Sequence, residues 1–284
     1  MGQDTQVSKQ WQVGFSFERG LINNFDGTDT IRKSGSLRIG YNDQLKLNAS
    51  TKLEARFDEG DDNRTQYLTS NHIKYQLTPD LSLLGRLNWS RTENDLTDQT
   101  DGLFKESGIG LAFRPVKWDK LNLLGKYTYL IDYRPDNQTD FTSVTKQRAA
   151  VYALEAAYDL NKYFQIVEKY AFKNGREKIS GQDYTDSDTD LWIHRLNYKL
   201  LDSPAVGGTP LSLRWTIGLE YRILKQKLAD DQKQGFLAEV LYKINEYLQF
   251  GGGYNFTDFD DDLINDSDYS ARGPFIRLLA TFTR

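Results

Sequence analysis

The feature that most constrains this chain is a strict alternation of apolar and polar residues over windows much longer than an ordinary strand. Leu211, Leu213, Trp215, Ile217, Leu219, Tyr221 and Ile223 alternate with Ser212, Arg214, Thr216, Gly218, Glu220 and Arg222. Trp11, Val13, Phe15 and Phe17 alternate with Gln12, Gly14, Ser16 and Glu18. Leu45, Leu47, Ala49, Leu53, Ala55 and Phe57 alternate with Lys46, Asn48, Ser50, Lys52, Glu54 and Arg56. Successive side chains of an extended chain point to opposite faces, so period 2 gives a strand with one apolar and one polar face, and helical spacing does not fit. The pattern predicts fourteen strands, near 9–19, 31–42, 44–57, 66–77, 81–93, 104–115, 120–133, 147–160, 163–177, 190–201, 211–226, 234–244, 247–259 and 272–284. Most are about twice the usual strand length of about 5–6 residues.

The connectors alternate in length. Asn42-Asp43, Thr78-Pro79-Asp80, 116–119, Asn161-Lys162 and Asn245-Glu246 are short, and 202–210 is a longer member of that set. Between them lie the polar loops 20–30, 58–65, 94–103, 134–146, 178–189, 227–233 and 260–271. This is what an up-and-down meander gives when its two ends face different compartments. Pro79, Pro115, Pro135, Pro204 and Pro210 fall at strand ends or in connectors, and Pro274 near the start of the last strand, so none breaks a strand centre. A β-propeller also repeats near 40 residues, but its blades need four short strands where each repeat here holds two long ones. No Gly/Ser or Pro linker divides the chain, so 1–8 reads as an N-terminal periplasmic tail and 9–284 as one barrel domain.

An apolar face turned inward from fourteen long strands would exceed what one core can fill. The polar face is rich in small residues (Gly14, Ser36, Gly40, Asn48, Gly110, Asn122, Asn197) mixed with charges, which suits a crowded wet lumen. Aromatics on the apolar parity form two bands. Tyr41, Tyr75, Phe113, Tyr158, Phe164, Tyr198, Tyr242 and Phe282 lie near the short turns, and Phe17, Phe57, Trp89, Tyr129, Phe172, Trp192 and Phe256 nearer the long loops. Two aromatic girdles around an aliphatic band mark a membrane-spanning barrel. Glu168 resists, since it falls on the lipid parity between Ile166 and Tyr170; a bulge there would turn it inward. The expected fold is all-β, a single up-and-down antiparallel transmembrane β-barrel of about fourteen strands. An even count returns the chain to its starting side, which places both termini on the short-turn, periplasmic side.

Composition excludes several alternatives. The 284 residues include no Cys, so disulfides, thiolate metal sites and Cys nucleophiles are ruled out. Mean hydropathy is −0.64 and no run of about 18 apolar residues exists, which excludes a helical membrane bundle. The 5 Trp, 17 Tyr and 15 Phe are too many for a disordered chain. A net charge of −4 argues against nucleic acid as a partner. Met1-Gly2-Gln3 opens no signal peptide, so the chain is either cytoplasmic or lacks a signal or larger upstream region that has been removed.

With these residues in place, the chain resembles bacterial outer-membrane β-barrels. Its end, Ile276-Arg277-Leu278-Leu279-Ala280-Thr281-Phe282, is similar to their C-terminal assembly signal, except that Thr283-Arg284 follow the aromatic. Gly251-Gly252-Gly253-Tyr254-Asn255-Phe256 and Leu123-Leu124-Gly125-Lys126-Tyr127 are similar to barrel domains at the C-terminus of long bacterial surface proteins. The resemblance implies a Gram-negative outer membrane, with outer-membrane lipid, lipopolysaccharide and the barrel-assembly machinery as partners. It also leaves room for a larger periplasmic or surface partner.

Parity assigns sixteen cations to the polar face: Arg38, Lys46, Lys52, Arg56, Lys74, Arg86, Arg114, Lys126, Lys169, Lys173, Arg195, Lys199, Arg214, Arg222, Lys243 and Arg277. Seven carboxylates oppose them: Glu18, Glu54, Asp132, Glu155, Asp159, Glu220 and Glu239. Low-dielectric walls focus such an excess and attract anions. The lumen and selectivity candidates are Arg38, Lys52, Arg56, Lys74, Arg86, Lys126, Arg195, Arg214, Arg222 and Arg277. The competing reading is cross-bracing of the interior by ion pairs.

The loops are acidic instead. Asp186-Ser187-Asp188-Thr189-Asp190 imitates the first ligands of a calcium loop, but Leu191 stands where that loop needs Gly and Asn197 where it needs Glu. No dedicated metal site or cofactor is expected, and catalysis has little support, because His72 and His194 are the only two histidines. The leading functional reading is a pore for passive diffusion of small anionic solutes. The alternative is an outer-membrane anchor barrel of a larger surface protein, with a plugged lumen.

Overall fold

The computed structural model describes residues 2–23, 29–60, 63–135, 144–178, 181–201, 213–227, 231–245, 247–256 and 272–280. Among them are β1 (Gly2–Gln6), β2 (Trp11–Asn23), β3 (Asp29–Asn42), β4 (Leu47–Glu59), β5 (Arg64–Gln76), β6 (Leu81–Asn94), β7 (Gln99–Phe113) and β8 (Leu121–Pro135). They continue as β9 (Val144–Asp159), β10 (Phe164–Lys178), β11 (Thr185–Asp186), β12 (Thr189–Leu201), β13 (Leu213–Gln226), β14 (Asp231–Lys243), β15 (Leu248–Asn255) and β16 (Gly273–Ala280). A single 3₁₀ turn, Val116–Trp118, is the one helical element among the described residues.

Fourteen of these strands correspond one to one with the strands read from alternation. Two additions correct that reading. Gly2–Gln6, assigned above to a tail, pairs antiparallel with β2 from Gly2↔Ser16 to Gln6↔Gln12. Its side chains are all polar or Gly and all exposed, so backbone hydrogen bonding alone makes it a strand and no alternation reveals it. The two-residue β11 pairs only with the end of β10. Two of the long loops are also shorter than predicted, with 58–65 shrinking to 60–63 and 94–103 to 95–98. Hairpin ladders continue beyond the apolar belt, where alternation fades but pairing does not.

Neighbouring strands are adjacent in sequence throughout, an up-and-down order broken only by β11, which lies off the path from β10 to β12. Two compact units are resolved: Met1–Phe113 with Gly125–Tyr152 and Asn174–Ser187, and Arg114–Leu124 with Ala153–Lys173 and Asp188–Arg284.

In the first unit, register runs unbroken through β2, β3, β4, β5 and β6. Between β6 and β7 it shifts once, from Thr92↔Gly102 to Glu93↔Thr100, leaving Asp101 as the extra residue of a bulge. The turn between β3 and β4 is built by Asp43, whose Oδ1 accepts the amides of Leu45, Lys46 and Leu47 at 2.8–2.9 Å. Gln44 in that turn takes φ 62°, and the Asn42 side chain accepts its amide.

The faces are inverted relative to a soluble protein. In the first unit Glu54 and Asp101 are buried while Phe15, Phe17, Leu53, Leu87 and Ile109 are exposed, Phe15 at 60%. In the second unit Glu239 is 2% exposed, and Glu220 and Asn197 are also buried, while Phe236, Val240, Leu278 and Ile276, the last at 80%, face outward. Each of these exposed apolar residues lies on the parity assigned above to lipid. An exposed apolar face of this kind is a penalty in water and a requirement in a bilayer.

Candidate lumen-facing charge network

In the second unit the polar face is organised around two buried carboxylates. Asn197, Gly218 and Glu239 lie side by side on β12, β13 and β14. Arg195 donates to Glu220 at 3.1 Å, to Asn197 at 2.8 Å, and to Glu239. To reach Glu239 it crosses β13 at Gly218, where a Cβ would sit 2.7 Å from the guanidinium. A residue without a side chain is needed there for close approach rather than for backbone freedom. Arg222 also pairs with Glu220, and Arg277 Nη1 lies 2.8 Å from Glu239 Oε2. That last contact is an ion pair without hydrogen-bond geometry. The polar chain continues from Asn197 to Gln165 at 3.0 Å and from Gln165 to Asp159 at 2.9 Å, with Lys199 3.5 Å from Asp159. Leu237 and Leu241 are buried on the same face, two residues either side of Glu239.

In the first unit, Lys52 and Arg56 share Glu54, Lys52 at 2.5 Å. Arg86 approaches Glu106 at 3.2 Å, Asn88 donates to Glu106 at 2.9 Å, and Lys126 interacts with it electrostatically. Arg38 lies 4.0 Å from Asp4. Toward the long-loop end, Arg32 grips Asp58 with two bonds of 2.7–2.8 Å, and Arg64 donates to Asp101 at 2.9 Å. These four groups line a cavity of about 220 Å³ with Arg56, Gln66 and Thr92.

The predicted cations are thus brought together in part. Lys52 with Arg56, and Arg195 with Arg222 and Arg277, form clusters around shared carboxylates. Lys74 has no carboxylate partner among the described residues. The Arg214 guanidinium donates at 3.2 Å to Tyr242, which belongs to the apolar parity and packs at a tilt against Trp215. The sequence count of seven carboxylates was too low. Glu106 lies on the polar parity of its strand and was legible there. Asp58 was assigned to a loop and Asp4 to a tail. Asp101 sits in a bulge, which shifts parity and leaves no periodic signal.

No bulge turns Glu168 inward. Register through β10 and β12 is unbroken, and Glu168 stays on the apolar face directly opposite His194. Glu168 pairs there with His194 Nδ1, and Trp192 stacks on the imidazole at 6.3 Å. The partner across the ladder, rather than a change of face, accommodates the carboxylate. In the Asp186–Asp190 segment, Asp186 pairs with Arg176 at 3.2 Å and Asp190 accepts from Tyr170 at 3.0 Å. No group of three metal-ligating side chains occurs among the described residues. The acidic segment 260–268 and Phe282 lie outside them.

The sequence matches no known family model and no curated protein sequence. Solved structures do resemble it. The siderophore receptor PirA from Pseudomonas aeruginosa aligns over 91% of this chain and 45% of its own, at 13% identity and a TM-score of 0.59. Its counterpart from Acinetobacter baumannii aligns over 88% and 43%, at 12% identity and 0.58. The ferric citrate transporter FecA aligns over 88% and 45%, at 12% identity and 0.52. The chain spans less than half the length of these proteins, and identity this low shows the fold alone. With the exposed apolar belt and the buried charged face, the fold is that of a bacterial outer-membrane β-barrel.

Proposed function

We propose that this protein is an outer-membrane transport barrel that passes small anionic solutes passively through a basic lumen. One observation carries the reading: several acidic nodes of the polar face are overcharged. Arg195, Arg222 and Arg277 surround two carboxylates, and Lys52 with Arg56 share one. Pairing therefore leaves net positive charge on a water-facing wall backed by lipid, where a field is focused and anions are drawn in. The similar structures are, by name, two siderophore receptors and a ferric citrate transporter, which supports transport at the coarse level and names no solute here. We assign the protein no enzymatic step.

A second reading is favoured by Leu237 and Leu241, which place apolar bulk on the interior face. It makes the chain the anchor barrel of a larger surface protein, with a filled lumen. Single-channel recording in planar bilayers separates the two. The pore gives steady conductance with a reversal potential favouring chloride, and the preference falls as the Debye length shortens from about 10 Å at 0.1 M to about 3 Å at 1 M salt. Cation preference refutes the basic-lumen reading, and silence from a folded barrel favours the anchor.

A further inference from the structure

On the apolar face of the first unit, at its long-loop end, lies a cavity of about 550 Å³ lined by both apolar and cationic side chains. Trp89 and Leu103 supply the apolar part, and Arg91, Lys105, Lys146 and Lys178 line it together with Tyr133. Cross-strand register explains the arrangement, since Lys105 stands directly opposite Trp89, and Arg91 opposite Leu103. All of these positions carry the outward parity of their strands, so the cavity opens on the lipid-facing wall and not on the polar face.

The charges there are not balanced. Arg91 is satisfied by Glu93 at 2.6 Å and by Thr100. Lys105, Lys146 and Lys178 have no carboxylate partner among the described residues. Aromatic groups position two of them: Lys146 Nζ lies 5.1 Å from the Tyr133 ring and Lys178 Nζ 5.7 Å from the Tyr184 ring. Arg148 adds a further cation, donating to the Tyr133 hydroxyl at 3.0 Å. Lys105 lies level with the girdle residue Trp89. Cations at the level of an aromatic girdle sit at the headgroup boundary, where lysines attract acidic lipid headgroups. Trp89 and Leu103 beside them offer apolar surface to the start of an acyl chain.

We infer that this cavity binds the phosphate of a phosphorylated lipid in the leaflet at the long-loop end, with Lys105, Lys146 and Lys178 as its ligands and Trp89 and Leu103 packing against the start of the acyl region. The inference needs the lipid-facing wall and does not depend on an open lumen. The phosphate is held by charge and hydrogen bonding with no covalent step, and three ammonium groups match a dianionic headgroup.

The test is native mass spectrometry of the full chain in detergent, titrated with diphosphorylated lipid A, with a dephosphorylated lipid of the same acyl composition, and with inorganic pyrophosphate. The wild type is expected to hold one lipid A tightly and the dephosphorylated lipid weakly. The triple variant Lys105→Gln, Lys146→Gln, Lys178→Gln should lose about a hundredfold in lipid A affinity, a several-fold loss for each charge removed. None of the three side chains has an ion pair among the described residues, so folding should be unaffected, which heat-modifiable gel mobility checks. Lys162→Gln, at a short turn of the other unit, should bind as wild type. Equal binding by the triple variant, or by the dephosphorylated lipid, overturns the site. Displacement of lipid A by pyrophosphate at equal concentration overturns the lipid as its ligand and assigns it a soluble phosphate.

Discussion

Glu239→Gln is the sharpest perturbation of the charge network. The carboxylate side chain is fully buried and meets Arg195 and Arg277, whose side chains are 15% and 33% exposed. Removing one partner of a buried ion pair costs about 3–5 kcal/mol when the remaining charge is stranded. Here neither guanidinium is fully stranded, because Arg195 keeps Glu220 at 3.1 Å and Asn197 at 2.8 Å while Arg277 reaches water. The expected loss is therefore lower, about 2–3 kcal/mol. Gly218→Ala tests the same bridge from the other side, since its Cβ would meet the Arg195 guanidinium at 2.7 Å. A flexible side chain can retreat from that contact, so a loss of about 1 kcal/mol is expected. The assay is urea unfolding in lipid vesicles followed by tryptophan fluorescence, with reversal potential measured in parallel. Glu239→Gln leaves three guanidiniums against one carboxylate, so anion preference should rise as stability falls. A variant within about 0.5 kcal/mol of wild type, with an unchanged reversal potential, would refute the idea that this node braces the wall and sets its charge.

Arg introduced at Leu53 or Val240, both on the exposed apolar face, should cost roughly 2–4 kcal/mol in vesicle unfolding, while Arg at Asn88 on the polar face should cost far less. His194→Leu should destabilise by stranding Glu168 on the lipid face, and the double change with Glu168→Leu should recover the loss; a double variant as unstable as the single would show that the pair is not the reason. Asp43 accepts three backbone amides, Leu47 first among them, which holds its carboxyl below the usual carboxylate range. Its contribution is thus present above the unfolded pKa and lost as pH falls through the lower folded value, so Asp43→Asn should flatten the acid limb of stability against pH. Arg86 and Lys105 sit on opposite faces of the β6–β7 pair, so Arg86→Gln should move the reversal potential and leave lipid A binding intact, and Lys105→Gln the reverse.

The fold was legible because lipid enforces period 2 with unusual rigour. Wherever a strand crosses the apolar belt, as at Phe15–Phe17 or Trp192–Leu196, alternation located it and assigned its faces. Where the chain leaves the belt that pressure ends. Gly2–Gln6 and the outer parts of β6 and β7 pair through backbone bonds that any polar residue can make, and they carry no pattern. The charge network was half legible. Parity placed Glu54, Glu220 and Glu239 correctly among the cations, but which cation reaches which carboxylate depends on cross-strand register. The bridge from Arg195 past Gly218 to Glu239 spans 44 residues of sequence and has no local signature. The lipid-wall lysines come from β7, β9 and β10, three strands with no common motif, and only their convergence on Trp89 marks them.

Charge of one sign appears on both faces of this wall for different physical reasons. On the polar face carboxylates are expensive to bury, so each recruits more than one cation, and the positive surplus follows from satisfying buried acids. Glu54 with Lys52 and Arg56, and Glu239 with Arg195 and Arg277, both show this. On the lipid face no buried acid lies near Lys105, Lys146 and Lys178 among the described residues, and an ammonium beside hydrocarbon is a cost that an anion relieves. The interior surplus can therefore stand without a ligand, whereas the outer surplus at headgroup depth gains from an anionic neighbour.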